Sequence, residues 1–271
     1  MLQDYAVFNQ SLNEINQPKA LISALNAHSF NTVQKDEDFQ KALQSSDVLL
    51  PDGISIVLAI RMLTGERIKK IAGNDLFNYE MERLNNTGGK CFFLGSSENT
   101  LNLIQERAAK EFPNIQVNSY SPPFKHEFSE EDTRIMIDAV NKHEPDVLFV
   151  GMTAPKQEKW AHKNFHHLKA GHICCIGAVF DFYAGTVMRA PDWMIKIGME
   201  WFFRLIKEPR RMWRRYLIGN LKFVMSVLKE KILTSSGLLE QPTLKAQKTP
   251  VVEKISVQNP NVQSQTNQEE K

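Results

Sequence analysis

The chain has 271 residues, of which 42% are apolar and 24% are charged, and its formal net charge is +2. This is the composition of an ordinary folded protein, and it excludes a chain that is intrinsically disordered or embedded in a membrane throughout. The length accommodates one main domain with appendages.

Three features of the sequence concern the cellular compartment. The first thirty residues lack a basic start followed by a long apolar run, so no signal peptide is expected. The three cysteines show neither CxxC nor zinc-site spacing, which favours a reducing compartment. The apolar stretch 218–228 is broken by polar residues and is shorter than the ~20 residues of a spanning helix. We therefore expect a cytoplasmic protein that contacts a membrane without crossing it.

Four short apolar runs, each followed by a glycine or a polar loop, predict buried strands at residues 48–50, 91–94, 147–150 and 173–176. Between them, Ser97 is predicted to cap a helix that extends to Phe112, and Ser129 with Asp132 matches a capping box. Strands that alternate with helices predict a largely parallel sheet covered on both faces. Ligands bind such sheets where strands end and the following loops begin.

Asp52 directly follows a predicted strand in the phrase Leu50-Pro51-Asp52-Gly53. A carboxylate in this position can face a cleft and act as a general base. The same pattern fits an Asp that caps the next helix, with Gly53 in the turn. Asp75, ahead of a helix predicted to begin near Phe77, has the same two interpretations.

Two further loops contain unusual residues. In the loop 151–160, Lys156 and Gln157 can hold phosphate or sugar oxygens at a helix N-terminus, although a plain surface loop also fits. The run 177–185 combines aromatic residues with Asp181 and suits a pocket wall, or a bulged strand end with core aromatics. GxGxxG, Walker A, DxD-like and HExxH patterns are lacking, which disfavours dinucleotide, P-loop, DxD-type metal-dependent and zinc chemistry.

The last third of the chain is basic, with eleven Lys or Arg against four Asp or Glu between residues 189 and 231. A helix after Pro209 would carry an apolar face (Trp213, Leu217, Leu221, Val224, Leu228) and a basic face (Arg211, Arg215, Lys222, Lys229). This pattern is typical of a helix lying on anionic lipid. The alternative is that the apolar face packs on the domain and the basic face is merely solvated. No nucleic-acid-binding module accompanies the charge, so no nucleic-acid partner is expected.

Six motifs occur in order along the chain: PDG, GNDLF, FFLGSS, PKQEKW, FDFYAGTVMRAPDWM and MEWFFRLIKEPRRMWRRY. Over roughly residues 20 to 220 the chain resembles the WecG/TagA/CpsF family of bacterial glycosyltransferases (glycosyltransferase family 26). The resemblance implies an inverting transfer of a sugar, typically an N-acetylmannosamine-type unit or a related hexose. The donor is a UDP-sugar, the acceptor is an undecaprenyl-diphosphate-linked sugar, and neither metal nor cofactor is expected. Members serve teichoic acid, enterobacterial common antigen or exopolysaccharide assembly.

The resemblance also implies roles for individual residues. The catalytic base falls on Asp52 and the motif glutamine on Gln157. The residues expected to bind substrate lie mainly in the loops after the strands: Asn26, Lys70, Asn74, Asp75, Gly95, Ser96, Lys156, Glu158, Asp181 and Arg189. Contacts to lipid or to the acceptor diphosphate are expected from five arginines of the basic helices: Arg204, Arg210, Arg211, Arg214 and Arg215.

Two positions depart from the family pattern. The family's TxN motif aligns with Ala24-Leu25-Asn26, so its threonine is absent, and Ser23, one position off, is a candidate replacement. Lys70 stands where members usually carry Arg, which keeps the charge but loses bidentate geometry.

Together these features predict a Rossmann-like α/β catalytic domain in residues 1–195, a basic amphipathic helical appendage in 196–235 and a disordered tail in 236–271. The expected protein is a glycosyltransferase on the inner face of the bacterial plasma membrane, and a homo-oligomer is left open. One alternative is a catalytically silent scaffold that binds a sugar nucleotide. Another is an α/β enzyme for a different nucleotide ligand, whose basic helices form an oligomer interface.

Overall fold

The computed structural model describes residues 1–238, and within them six strands form one sheet. The strands are β1 Ala20–Leu25, β2 Val48–Pro51, β3 Lys90–Gly95, β4 Gln116–Tyr120, β5 Val147–Gly151 and β6 His172–Cys175. Their order is β2-β1-β6-β5-β3-β4, and every neighbouring pair is parallel. The predicted parallel α/β fold and its four predicted strands are confirmed.

Twelve α-helices lie within the described part of the chain. They are α1 Ala27–Val33, α2 Glu37–Gln44, α3 Ile54–Thr64, α4 Gly73–Thr87, α5 Glu98–Glu111, α6 Glu130–Asn141, α7 Lys156–Asn164, α8 Val179–Ala184, α9 Asp192–Lys196, α10 Glu200–Lys207, α11 Pro209–Trp213 and α12 Gly219–Ser235. A π-helical turn, Arg214–Ile218, joins α11 to α12. The predicted helix caps at Ser97 and Ser129 are confirmed.

Two local predictions were wrong. Residue 73, rather than a position near Phe77, begins α4, because the Asp75 carboxylate accepts a hydrogen bond from the Ala72 N–H at 2.8 Å and starts the helix earlier. The bulged strand end considered for residues 177–185 is a short helix, α8, which ends at Gly185 in the left-handed conformation.

Strand side chains alternate between the two faces of the sheet. Phe93 and Phe149 pack with α4, α5 and α8, whereas Phe92 and Leu148 pack with α6 and α7. A third apolar cluster joins the ends of β1 and β2 to α1, α2, α3 and α12. The sheet is therefore covered on both faces, and its carboxyl edge is left to the loops.

Glycines bring α8 close to the carboxyl ends of β3 and β5. Gly95 and Gly151 are partners across these strands. A Cβ atom on Gly151 would lie 2.4 Å from the Phe180 ring, and one on Gly95 would lie 2.5 Å from the Gly151 carbonyl oxygen. Only glycine allows this approach, which fixes the position of α8 and its Asp181.

The predicted appendage is docked on the domain through α12. Phe223 and Val227 are buried in the third cluster, and the Phe223 and Phe30 rings meet edge to face at 5.3 Å. The buried Glu230 carboxylate accepts hydrogen bonds from the backbone N–H groups of Leu2 and Gln3. The appendage therefore has a fixed place beside α1 and α3. The predicted disordered tail, apart from residues 236–238, lies outside the described residues.

The apolar face predicted for the appendage points away from the domain. Leu217, Leu221, Val224 and Leu228 are all exposed, and Leu221 has 63% of its surface accessible. The alternative in which this face packs on the domain is therefore wrong, because Phe223 and Val227 on another side of α12 make that contact. Across residues 1–238 no helix combines the length and the apolar character that crossing a bilayer requires.

Candidate active site at the carboxyl edge of the sheet

Asp52 is held at the end of β2 by its neighbour β1. Its backbone N–H donates to the Leu25 carbonyl at 2.9 Å, and its carboxylate accepts from the Asn26 amide nitrogen at 3.2 Å. The Asn26 side-chain oxygen is occupied, because it caps α1 by accepting from the N–H groups of His28 and Ser29. The cap thus turns the NH₂ group of Asn26 toward Asp52 and orients the carboxylate.

The helix-cap interpretation fails for Asp52 and succeeds for Asp75. Gly53, with φ 102°, is the N-cap of α3, and that helix has no side-chain cap. Such a φ suits glycine and lets the chain turn directly after Asp52. Asp75, by contrast, uses its carboxylate to cap α4. Of the two acids, only Asp52 keeps its carboxylate free of a helix-capping bond.

Charges from three separate elements act on Asp52. Burial raises the pKa of its carboxyl group, and the negative charge of Glu200 on α10 raises it further. The hydrogen bond from Asn26 and the positive charges of Lys70 and Arg215 lower the pKa. The net result is a raised pKa. A raised pKa strengthens a carboxylate as a base. Neither Glu200 nor its proximity to Asp52 was predicted from the sequence.

Replacing Glu200 with Gln should lower the pKa of Asp52, since the substitution removes a neighbouring negative charge. If ionised Asp52 is the base, the acidic limb of the kcat/KM profile should move to lower pH in this variant. The measurement is a pH–rate profile of both proteins, with Glu106→Gln on the exposed side of α5 as control. An acidic limb that stays in place or moves upward would contradict the assignment.

Arginines from the appendage gather opposite acidic residues of the site. Burial raises the pKa of Asp181, and the charges of Arg211 and Arg204 lower it. The Arg204 guanidinium lies 5.6 Å from the centroid of the Phe182 ring on α8. Arg215 lies in the π-helical turn, and its pKa is lowered mainly by burial. The appendage therefore closes over the same edge that carries Asp52 and Asp181.

Several of these guanidinium groups have unused donors. Within the described residues, the buried Nε atoms of Arg189, Arg204 and Arg215 have no hydrogen-bond partner, and Arg189 Nε lies 3.8 Å from Glu200. Buried donors of this kind are costly unless something accepts from them. A bound anion such as a diphosphate fits this need.

The remaining predicted arginines are exposed, although the charge of Arg211 still reaches Asp181. Arg210 and Arg214 are exposed, and Arg214 stacks on Trp213 at 5.2 Å from the ring centroid. Arg211 is exposed and pairs with Glu208 at 2.8 Å. The five predicted arginines thus separate into two that are half-buried toward the site, Arg204 and Arg215, and three on the surface.

His28, which the sequence did not single out, belongs to the same region. Its pKa is lowered to about 4 by burial and by the nearby Arg215 charge, so it is neutral at pH 7. It follows Asn26 by two residues, and its backbone N–H is part of the cap that orients Asp52. A neutral imidazole here adds a polar group without further positive charge.

Gln157 is buried, and both ends of its amide are engaged. Its oxygen accepts from the Met152 N–H at 3.1 Å, and its nitrogen donates to the Glu158 carboxylate at 2.8 Å. Gln157 follows β5 and Asp52 follows β2, which are three strand spacings or about 14 Å apart. Both residues lie at the carboxyl edge, but the strands that they follow are not neighbours, and the role of Gln157 toward substrate stays a prediction.

Glu158 combines full burial with an ionisable group. Burial raises the pKa of its carboxyl group to about 7 against the opposing hydrogen bond from Gln157, and Oε2 has no hydrogen-bond partner within residues 1–238. Its ordinary pKa is 4.5, so between these values the folded state holds a proton that the unfolded chain releases. Stability should therefore fall as pH rises from about 4.5 to about 7.

The Glu158→Gln variant should lose this component of pH dependence. The shift corresponds to about 3 kcal/mol of unfolding free energy across the window, at about 1.4 kcal/mol for each pKa unit. Urea unfolding at pH 5 and pH 8 measures it, with Glu106→Gln as control. An equal drop in stability in the variant and the wild type would show that Glu158 is not responsible.

Other predicted substrate residues occupy the loops but have protein partners. The Lys156 ammonium bonds to the Lys125 carbonyl and lies 3.6 Å from the centroid of the Phe128 ring. Ser96 has φ 58°, and its carbonyl accepts from the Ser121 hydroxyl at 2.8 Å. These contacts account for Lys156 and Ser96 as organisers of the loops, and their roles toward substrate stay predictions. Asn74 lies in the first turn of α4.

Ser23 does not replace the missing threonine. It is buried, and its hydroxyl accepts a hydrogen bond from the Ser46 hydroxyl at 2.8 Å. Neighbouring positions on a strand face opposite sides of the sheet, so Ser23 points away from the side that Ala24 occupies. The suggestion that Ser23 could substitute is therefore wrong.

A cavity of about 820 Å³ lies at the opposite, amino edge of the sheet, where its lining includes Lys19, Arg83, Asp146 and His172. None of the predicted site residues lines it. Among residues 1–238, no three His, Cys, Asp or Glu side chains are grouped so as to hold a metal ion. Metal independence stays a prediction.

Comparison with known proteins gives the family. The WecG/TagA/CpsF family of glycosyl transferases matches residues 4–237. An N-acetylglucosaminyldiphosphoundecaprenol N-acetyl-beta-D-mannosaminyltransferase of Bacillus subtilis (strain 168) is 34% identical over 214 residues, which are 78% of this chain and 80% of the relative. The same-named enzymes of Bacillus spizizenii and Staphylococcus aureus (strain MW2) are 32% and 23% identical, over 71% and 83% of this chain and 72% and 84% of their own. The chain therefore belongs to the WecG/TagA/CpsF family and is a glycosyltransferase.

Proposed function

We propose that the chain transfers an N-acetylmannosamine-type sugar from a UDP-sugar to N-acetylglucosamine carried on undecaprenyl diphosphate. The names of its relatives give that acceptor and that sugar for those enzymes. The observation that carries the proposal is the oriented carboxylate of Asp52 near Arg204 and Arg215, whose buried Nε atoms have no hydrogen-bond partner in the part of the chain that the structure describes. The carboxylate can accept the proton of the acceptor hydroxyl, and the guanidinium groups can donate hydrogen bonds to a diphosphate.

The reaction is a single displacement at the anomeric carbon. Asp52 takes the proton of the acceptor hydroxyl while the oxygen of that hydroxyl bonds to the anomeric carbon. At the same time the bond between the anomeric carbon and the UDP oxygen breaks. Attack from the face opposite the leaving group inverts the configuration. The leaving UDP gains negative charge, which fixed donors at Arg204 and Arg215 stabilise. This chemistry needs neither a covalent intermediate nor a cofactor, and activity that persists in a chelator would support metal independence.

The appendage supplies the contact with the membrane that carries the acceptor. Exposed apolar side chains of α12, including Leu221 and Leu228, lie near the exposed cations Lys222 and Lys229. Apolar side chains enter the interfacial region of a bilayer, and cations pair with anionic headgroups. Acceptor lipids in the inner leaflet would then meet the site from the side that the appendage covers.

The test is a screen of UDP-sugars with a short-chain polyprenyl-diphosphate N-acetylglucosamine, with products identified by mass spectrometry. We expect a product enlarged by one N-acetylhexosamine from UDP-N-acetylmannosamine and not from UDP-glucose. A different productive donor would correct the sugar and keep the reaction class. Donor binding without any product would favour the silent scaffold, which the missing threonine at Ala24 suggests.

A further inference from the structure

The α3 helix has an exposed apolar row that the proposed reaction does not use. Ile54, Leu58 and Met62 are 41%, 52% and 46% accessible, and they follow one another at intervals of four residues. Side chains at this spacing lie along one side of a helix. Ile56 and Ile60 lie on the other side, where they are buried in the third cluster. The helix therefore presents one apolar side to the core and another to the outside.

Basic residues flank this row. Arg61 lies on the exposed part of α3, and the following loop carries Arg67, Lys69 and Lys70 against a single acidic residue, Glu66. An apolar row beside a cluster of cations matches the requirements of an anionic lipid surface, because each group has its counterpart there.

The α3 row adjoins the appendage. A Cβ atom on Gly198, in the turn between α9 and α10, would lie 3.2 Å from the Ile54 side chain, so this turn packs against the start of α3. Helices α3 and α12 are in contact and share the third cluster, with Phe223 and Val227 packed in the same core as Ile56. The outer sides of the two helices thus belong to one layer of the molecule.

We propose that α3 and the basic loop 65–70 form a second membrane contact, which enters the headgroup region of an anionic bilayer together with α12. The inference rests on the membrane contact proposed for the appendage. Asp52 lies two residues before Ile54, at the end of α3 nearest the site. Two adjoining contacts would hold this carboxylate at a fixed height above the lipid headgroups, where the diphosphate of a membrane-bound acceptor lies.

The three native cysteines are all buried, so a cysteine introduced at the surface can be labelled selectively. Full-length Leu58→Cys carries an environment-sensitive fluorophore, and Ile135→Cys, at an exposed apolar position on α6, is the matched control. Vesicles of phosphatidylcholine with phosphatidylglycerol are added, or vesicles of phosphatidylcholine alone. We expect a blue shift at position 58 with the anionic vesicles and no shift at position 135.

A loss-of-binding variant complements the label. Leu58→Glu with Met62→Glu should lower the partition into anionic vesicles by about tenfold or more, because two apolar contacts are replaced by charges that anionic lipid repels. Ile135→Glu should leave it unchanged. Leu221→Glu with Leu228→Glu reports on the appendage in the same assay.

The outcomes separate the two proposals. If wild type fails to bind the anionic vesicles, both membrane contacts are wrong. If wild type binds and the variant with Leu221→Glu and Leu228→Glu binds equally well, the membrane contact proposed for the appendage is wrong. If the variant with Leu58→Glu and Met62→Glu binds as well as wild type, and the fluorophore at position 58 shows no blue shift, the α3 contact is wrong and the appendage contact stands. A blue shift at position 58 that appears without vesicles as protein concentration rises would instead assign the α3 row to self-association and overturn the inference.

Discussion

The Asp52→Asn variant should lose about 10²- to 10⁴-fold in kcat/KM, which is the usual contribution of a general base. An amide cannot take the proton of the acceptor hydroxyl at neutral pH. The side chain keeps its shape, and its oxygen can still accept the hydrogen bond from Asn26 that Asp52 accepts at 3.2 Å. Transfer rates with the short-chain acceptor at saturating donor measure the loss.

Folding and donor affinity should survive this change. Asp52 does not cap α3, so its replacement leaves the helix start at Gly53 intact. Removing a buried carboxyl group whose pKa is raised also removes an ionisation that burial opposes. Thermal unfolding and UDP binding by calorimetry should therefore resemble those of wild type. Turnover within about threefold of wild type would rule out Asp52 as the base.

The Arg215→Ala variant should lose about 100-fold or more in kcat/KM, comparable to the removal of one donor from an oxyanion site. Arg215 lies close to Asp52, and no residue from 1 to 238 accepts a hydrogen bond from its buried Nε atom. The free energy that burying this donor costs is offset when an anion binds. The effect should appear with the soluble short-chain acceptor and should be smaller for Arg215→Lys, which keeps the charge.

Arg210→Ala is the matched control, since it removes the same charge from an exposed position of the appendage. We expect a change within about threefold for the soluble acceptor, as is usual for a surface charge. Vesicle binding should be similar in Arg215→Ala and wild type if Arg215 serves the diphosphate rather than the lipid surface. Equal losses in Arg210→Ala and Arg215→Ala would contradict a specific role for Arg215.

The sheet was predictable at β2, β3, β5 and β6, whereas β1, although it is a buried inner strand, was missed. The runs at β3, β5 and β6 are continuously apolar and end near glycines, as parallel central strands do. Strand β4 was missed because it lies at the edge and is only half-buried, and its residues Gln116–Tyr120 carry little apolar signal. Local pattern alone could not separate such a strand from a loop.

The candidate site was predictable only in part. Asp52 and Gln157 could be placed at the carboxyl edge because each follows a predicted strand. The distance between them depends on strand order, and a single sequence gives no direct sign that β1 and β6 lie between β2 and β5. The helix-cap role of Asp75 was one of two interpretations of the same motif, and only the hydrogen bond to Ala72 separates them.

The parts that the sequence did not reveal depend on the docking of the appendage. Glu200 on α10 acts on Asp52 although the two residues are far apart in the sequence, so only the folded structure brings them together. The π-helical turn that carries Arg215 also shifts the helical register by an extra residue per turn, which a pattern at 100° per residue does not anticipate. Long-range packing therefore decides which arginines face the site.

The most direct test of the proposed site is a structure of the full chain with UDP bound. We expect the diphosphate to contact the Arg204 or Arg215 guanidinium group at the carboxyl edge, with its terminal phosphate on the side of Asp52. A diphosphate bound instead in the amino-edge cavity, beside Lys19 and Arg83, would contradict it.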